Sequence, residues 1–402
     1  MASESSSGSS INVCLIGQKF MGRTHSNAYL KVAKFFDVPV VPVMHTICGR
    51  DTRELDEFKS RWGWQNATTD WKRASTSDEI GLVDVGTPND LHREMTLAAL
   101  EAGKHVACEK PLAGSLDDAR AMRDAARKAK KKSKTFVWYN YRRVPAVALA
   151  HQLVKAGKIG RIYHVRGYYL QDWAGPGVPL IWRFQKKVAG SGSHGDLGAH
   201  IIDMARFVTG DEFAEITGAL GETFIKERAI PSRGSAGGIA GGAQAATQMG
   251  KVDVDDAMLF LARMKGGAVC SIEATRFATG YQNKNGVEIH GEKGAVSFNF
   301  EEMNWLNFYD RTDDRKTQGW HRIMATHAPD HPYANAWWPD AHIVGYEHGF
   351  INQTADMLNV IAGKDPVVPI PDFDDAYETQ RVLEAVAMSA KSRSPVKMSE
   401  VK

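Results

Sequence analysis

Cysteine is scarce: Cys14, Cys48, Cys108 and Cys270 are the four in a chain of 402 residues. None forms a CxxC pair or a cluster with metal-ligand spacing, which argues against a zinc site and against a disulfide-stapled fold. Three of the four lie inside apolar runs, so they read as small buried hydrophobes of a reducing compartment. No apolar run approaches the roughly 20 residues that a membrane-spanning helix needs. Charge of one sign is lacking too. Lys+Arg 50 against Asp+Glu 47 leaves a net charge of only +3, too little to call for nucleic acid or an anionic membrane as partner. No internal repeat is visible. Residues 1–10 are polar and Ser-rich, without the apolar core or twin arginines of an export signal, so a disordered tail on a soluble, cytoplasmic protein is expected.

What remains is ordinary globular composition, and it is too long for one core. Single cores rarely exceed about 250–300 residues. Two domains are expected, over residues 11–140 and 141–402.

The first stretch alternates short apolar runs with helical patterns. Strands are expected at 11–16, 41–48, 80–85, 105–108 and 135–139. Helices are expected at about 20–36, 53–62, 89–102 and 115–129. Asp51 is placed to cap the second helix, and Ser115 with Asp118 forms a capping box before the fourth. Continuous apolar strands between helices mean a parallel sheet covered on both faces: an α/β, doubly wound Rossmann domain. The lysines at 128–134 end a helix and read as a solvated face.

Beyond residue 140 the pattern turns α+β. A helix near 145–156 precedes alternating strands at 162–170, 214–222, 257–264, 267–275, 287–290 and 295–300. Gly-containing turns at 265–267 and 291–294 suit antiparallel hairpins and a large, mainly antiparallel open sheet. Residues 234–250 are rich in Gly and Ala and read as a loop. A last helix is expected over about 374–391.

The segment GQKFMG, Gly17 to Gly22, follows the first strand and opens the first helix. Glycines there permit a tight turn, and the helix N-terminus can hold a pyrophosphate. The middle glycine of the usual pattern is Lys19. Either the loop tilts and offers its ammonium to the phosphates, or the dinucleotide binds less tightly. At the second strand tip Arg50 points to NADP and Asp51 to NAD, and the choice stays open.

With the Gly17 loop, the tip Gly86-Thr87-Pro88-Asn89 with His92, and Cys108-Glu109-Lys110-Pro111, the sequence resembles the Gfo/Idh/MocA oxidoreductase family over nearly its whole length. Stretches at 140–146, 169–173, 182–186 and 192–200 resemble the sugar and inositol dehydrogenases within it. The resemblance implies NAD or NADP as cofactor and no metal. It implies a homodimer or homotetramer, with a small sugar or polyol as substrate. The dinucleotide is then expected at Gly17, Lys19, Phe20, Met21, Gly22, Arg50, Thr87, Pro88, Asn89, His92, Glu109 and Lys110.

Lys110, Asp196 and His200 are the catalytic residues implied. Asp196 and His200 stand four apart at the start of an expected helix over 195–208, so they share one face. A carboxylate bonded to one imidazole nitrogen would leave the other as base for an alcohol proton, while Lys110 supplies a cation for the developing alkoxide. His194 is expected at the rim. Tyr141, Gln171, Asp172, Trp173, Trp182 and Arg183 are the substrate-pocket candidates, since hydroxyls want hydrogen-bonding groups and sugar C–H faces want aromatic ones. The aromatics at 333–338 and Tyr346 suit a pocket lid or an oligomer contact.

The expected activity is hydride transfer between nicotinamide and a secondary hydroxyl of a sugar, anhydrosugar, glycoside or inositol. Two alternatives remain: glycoside cleavage through transient oxidation and elimination, and a non-catalytic dinucleotide-binding regulator.

Overall fold

Six strands build the first sheet: β1 (Ser9–Ile16), β2 (Val40–Cys48), β3 (Asn66–Thr68), β4 (Leu82–Val85), β5 (His105–Cys108) and β6 (Thr135–Val137). All pair in parallel in the order β3-β2-β1-β4-β5-β6. The structure is a computed structural model and describes residues 9–231 and 245–402. Ser9 and Ser10 already pair with β2, so the first strand starts inside the expected tail, the rest of which lies outside the described residues.

The flanking helices are α1 (Phe20–Phe35), α2 (Thr52–Trp62), α3 (Trp71–Thr76), α4 (His92–Glu101) and α5 (Leu116–Ala129). Asp51 caps α2, accepting from the Glu54 N–H at 2.9 Å, and Ser115 caps α5 from the Asp118 N–H at 3.2 Å. Strand order reverses between β1 and β4, which opens a crevice at their carboxyl ends. The four thiols are buried and unpaired by disulfides.

α6 (Pro145–Lys155) leads into β7 (Ile162–Leu170), then α7 (Lys186–Ala189), α8 (Ala199–Thr209), and β8 (Phe213–Glu222). β9 (Glu227–Pro231) pairs antiparallel with β10 (Ala245–Lys251). Residues 245–250, expected in a loop, are therefore strand. At Gly250 a Cβ would come 2.5 Å from Leu180. Residues 234–244 of that expected loop lie outside the described residues.

The large sheet continues through β11 (Ala257–Met264), β12 (Val269–Thr275), β13 (Lys284–Gly291), β14 (Gly294–Asn299), β15 (Trp305–Asp310) and β16 (Trp320–Met324), and closes on β17 (Val396–Lys397). Its order is β16-β15-β14-β13-β7-β12-β11-β8-β17, antiparallel except for β7 beside β12.

Two helices remain. α9 (Tyr346–Ile361) was not foreseen, and it packs back on the first domain: Phe350, Ile351 and Leu358 join Val13, Leu15, Ala28 and Val32 in one core. Its apolar period is broken by Asn352, Gln353 and Asp356, which are buried but paired. Asn352 donates to Arg143 O at 2.9 Å, and Gln353 to Val137 O at 2.8 Å. α10 (Phe373–Ser392) packs between α5, α8 and β8. Among the described residues no helix is long and apolar enough to cross a membrane.

Candidate active site

The turn from β1 into α1 is made by two glycines. Gly17 has φ +120°, and a Cβ on it would come 2.6 Å from Gly86 O; one on Gly22 would come 2.1 Å from Gly17 O. Close packing of three backbone segments thus demands glycine at both. Lys19 sits at the helix N-cap with φ −81°, which any residue can adopt, and its ammonium pairs with Glu54 of α2. The first helical bond of α1 runs from Arg23 N–H to Lys19 O at 3.0 Å, so the N–H groups of Phe20, Met21 and Gly22 have no partner within the helix. Orphan donors at a helix N-terminus, above a turn stripped of side chains, fit a dinucleotide pyrophosphate. Arg50 is exposed at the tip of β2, whereas Asp51 is engaged in its cap.

The tip of β4 is used differently from what was expected. His92 is fully buried; Nε2 lies 3.0 Å from Thr87 O, and Nδ1 3.2 Å from Pro111 O and 3.3 Å from Leu112 O. Burial lowers its pKa. With both ring nitrogens facing carbonyls, it ties two loops together from behind and has no polar atom left for a cofactor. Asn89 donates to Ala189 O at 2.9 Å, and Thr87 faces Met95 Sδ at 3.8 Å. Pro88 opens the short turn at 89–91. Glu109 also turns inward, accepting from Lys110 N at 3.0 Å while Oε1 lies 3.1 Å from His25.

Lys110, Asp196 and His200 do come together. The Lys110 ammonium donates to Asp196 O at 2.7 Å and to its Oδ1 at 3.1 Å. The other carboxylate oxygen accepts from Arg276 Nη2 at 2.9 Å and lies 3.7 Å from Arg183 Nε. Burial alone would raise the Asp196 pKa, but Lys110, Arg276 and Arg183 together hold it far below the usual carboxyl range.

The expected Asp196–His200 hydrogen bond is absent. Residues His194–Gly198 form a π turn before α8, which changes the angular step that would align positions four apart. Two full cations also compete better for the carboxylate than a neutral imidazole. His200 is buried against the Tyr141 ring, centroids 4.5 Å apart, and its Nδ1 has no hydrogen-bond partner. Burial first, and the Lys110 charge second, hold its pKa well below the ordinary imidazole value. The imidazole is held neutral.

The π turn is anchored by Asp255, whose carboxylate accepts from Gly192 N at 2.8 Å and from Ser193 Oγ and His194 N at 2.7 Å. A Cβ on Gly192 would meet Asp255 O at 1.7 Å. His194 is no rim residue: it is buried, with Nε2 2.9 Å from Leu383 O of α10. A buried ring spanning two helices is core structure.

Beside His200 runs a hydrogen-bonded chain. Trp173 Nε1 donates to Gln171 Oε1 at 2.7 Å, Gln171 Nε2 to Asn283 Oδ1 at 2.8 Å, and Tyr169 OH to the same oxygen at 2.8 Å. Tyr169 OH and Tyr141 OH are 2.9 Å apart. Arg183 lies over the Trp182 ring at 4.4 Å. Asp172 instead accepts from Gly280 N at 3.0 Å and serves the loop. Of the late aromatics, Tyr333 and Trp337 are buried, and Trp337 packs on Phe35 of α1 and on Phe36 just beyond its end. Tyr346 lies between Phe20 and Phe300, at 6.3 Å from each.

Sequence reasoning missed Arg276, Asn283, Tyr169 and Asp255. Each is a polar residue at or just beyond the end of a strand. Nothing local distinguishes such a residue from a solvated one until the sheet folds it inward.

A parallel sheet with a dinucleotide turn at its switch point, tied through Lys110 and Asp196 to a sheet domain that brings Arg183, Arg276 and His200 to the same place, defines a nicotinamide-dependent oxidoreductase. Residues 11–137 match the model of the oxidoreductase family with an NAD-binding Rossmann fold, and residues 147–297 match the GFO/IDH/MocA C-terminal domain. Levoglucosan dehydrogenase of Pseudarthrobacter phenanthrenivorans is 40% identical over 396 residues, 97% of this chain and 99% of that protein. An oxidoreductase domain protein from Kribbella flavida superposes with a TM-score of 0.90 at 46% identity, covering 97% of this chain and 99% of the other. A levoglucosan dehydrogenase solved with NADH and L-sorbose gives a TM-score of 0.88 at 39% identity, with the same coverage. The chain belongs to the Gfo/Idh/MocA oxidoreductase family.

Proposed function

We propose that this enzyme oxidises a secondary hydroxyl of a sugar, anhydrosugar or inositol, with NAD as hydride acceptor, and that Lys110, Asp196 and His200 carry the chemistry. The observation that carries this reading is the Lys110–Asp196 pair with His200 close enough to feel both charges. A neutral buried base and an ammonium held by a carboxylate stand together at the carboxyl end of β5, beside the dinucleotide turn. NAD would be held by the Gly17–Gly22 turn and by the N–H groups of Phe20, Met21 and Gly22 that have no partner within the helix. When bound, its nicotinamide ring accepts hydride from the substrate carbon.

His200 takes the hydroxyl proton on a ring nitrogen. No carboxylate fixes its tautomer, so its orientation comes from packing against Tyr141. The Lys110 ammonium donates a hydrogen bond to the oxygen as negative charge builds on it, and Asp196 holds that ammonium in position. Gln171, Asn283 and Arg183 offer donors and acceptors for other ring hydroxyls, with Trp173 and Trp182 as apolar walls. NAD rather than NADP is supported by the NADH complexes of the levoglucosan dehydrogenase relative, and the substrate class by the names of relatives. A cytoplasmic assembly of two or four copies suits the open sheet face, where Leu220, Leu259 and Leu261 are exposed.

A thermal-shift panel of NAD, NADP, levoglucosan, inositol and common hexoses tests binding, because a native-state ligand raises the melting point. NADH formed per substrate consumed then tests the reaction. One-to-one production supports net dehydrogenation; product without NADH supports oxidation and elimination instead.

A further inference from the structure

The imidazole of His25, in α1, is a fully enclosed titratable group near Lys110 and takes no part in the chemistry above. It is 0% exposed. Its Nδ1 lies 3.0 Å from Asp84 Oδ2, off the line of a good hydrogen bond, and its Nε2 lies 3.1 Å from Glu109 Oε1. A ring nitrogen without a proton would set its lone pair against a carboxylate oxygen at that distance. Asp84 also accepts from Tyr29 OH and from Trp138 Nε1, each at 2.9 Å. The indole of Trp138 stacks on the imidazole at 4.2 Å, and Phe350 of α9 closes the site at 5.8 Å. The charged or titratable groups facing the ring are therefore Asp84, Glu109 and, through Asp84, Tyr29.

We propose that His25 is a permanently protonated positioning residue for Lys110. It stands between Asp84 and Glu109 and, through Glu109 Oε2, fixes the backbone N–H of Lys110. The Glu109 carboxylate bridges the two residues, one oxygen toward the imidazolium and the other accepting from Lys110 N at 3.0 Å. Removing the cation leaves two acids in a dry core, so one must take a proton or move, and the end of β5 moves with it. Burial opposes the imidazolium, but Asp84 and Glu109 outweigh it and raise the His25 pKa to about 9. The inference also makes α1, which opens at the dinucleotide turn, and Lys110, which faces the substrate, parts of one charged frame. It rests on the reading of Lys110 as the cation at the reacting hydroxyl.

Two measurements test it. In the whole protein labelled with ¹⁵N-histidine, one ring should keep both N–H protons at pH 8, where free histidines are neutral. Its signal should vanish in His25→Gln, or shift in Trp138→Phe if the first variant does not fold. A neutral ring at pH 7, with Glu109 carrying the proton, overturns the proposal. In folded His25→Gln, kcat should fall by about 10-fold or more with substrate KM changed far less, as displacement of a reacting group by about 1 Å would cause. Wild-type kcat in that variant, with Lys110→Met inactive, overturns the positioning role alone. Activity retained in Lys110→Met overturns the catalytic reading on which it rests.

Discussion

Lys110 binds Asp196 twice, through the backbone oxygen at 2.7 Å and the carboxylate at 3.1 Å. A residue of the Rossmann domain is thereby latched to the π turn of the C-terminal domain. Each end of the latch depends on the other, and the carboxylate is shared with Arg276, which has no exposed surface.

Asp196→Asn should therefore do more than weaken a proton transfer. It strips the anion from two buried cations, and losing one partner of a buried ion pair costs about 3–5 kcal/mol. Urea unfolding should show a loss near the low end of that range, since the amide oxygen still accepts one bond. The pH dependence has a definite sign. The Asp196 pKa is lowered on folding, so its stabilisation is present in full above about pH 4 and is lost as pH falls below that ordinary carboxyl value. The acid side of the stability curve should be flatter in Asp196→Asn than in wild type; identical acid slopes would reject the assignment.

Lys19 and Glu54 form an exposed pair, with side chains 62% and 48% exposed, and such pairs add little to stability. Glu54→Gln should leave the melting point unchanged. Freed from its partner, the ammonium beside the turn should tighten dinucleotide binding a few-fold at low salt, and Lys19→Gly should loosen it and flatten its salt dependence. Equal affinities in all three proteins, at every ionic strength, would remove Lys19 from cofactor binding.

Arg50 is the exposed basic residue at the β2 tip, while Asp51 is committed to its helix cap. Arg50→Ala should weaken NADP by several-fold and leave NAD nearly unchanged. Fluorescence titration with the two reduced cofactors reads this directly. Equal losses for both would place Arg50 on the shared part of the dinucleotide.

The parts of the fold that repeat a local rule were legible in the chain. β7 and β11 run where alternation places them, and Asp51 and Ser115 cap the helices they precede. α9 was hidden because Asn352, Gln353 and Asp356 look solvent-facing and are instead satisfied by distant backbone and side chains. The site shows the same limit. Lys110, Asp196 and His200 could be named from short motifs, but the direction in which Asp196 points was decided by Arg276, 80 residues away in sequence, and by a π turn that spacing does not announce. Long-range charge pairing leaves no periodic trace.

His200 is the central assignment, and single-turnover nicotinamide reduction at saturating NAD and sugar tests it most directly. Because its pKa lies well below the ordinary imidazole value, the wild-type rate should stay flat down through pH 6.5 before its acid limb begins. His200→Ala should bind dinucleotide as wild type does, yet reduce it roughly 10²–10⁴-fold more slowly, the range that loss of a general base produces. A His200→Ala rate within a few-fold of wild type would contradict the account, and would put the proton on another residue of the pocket.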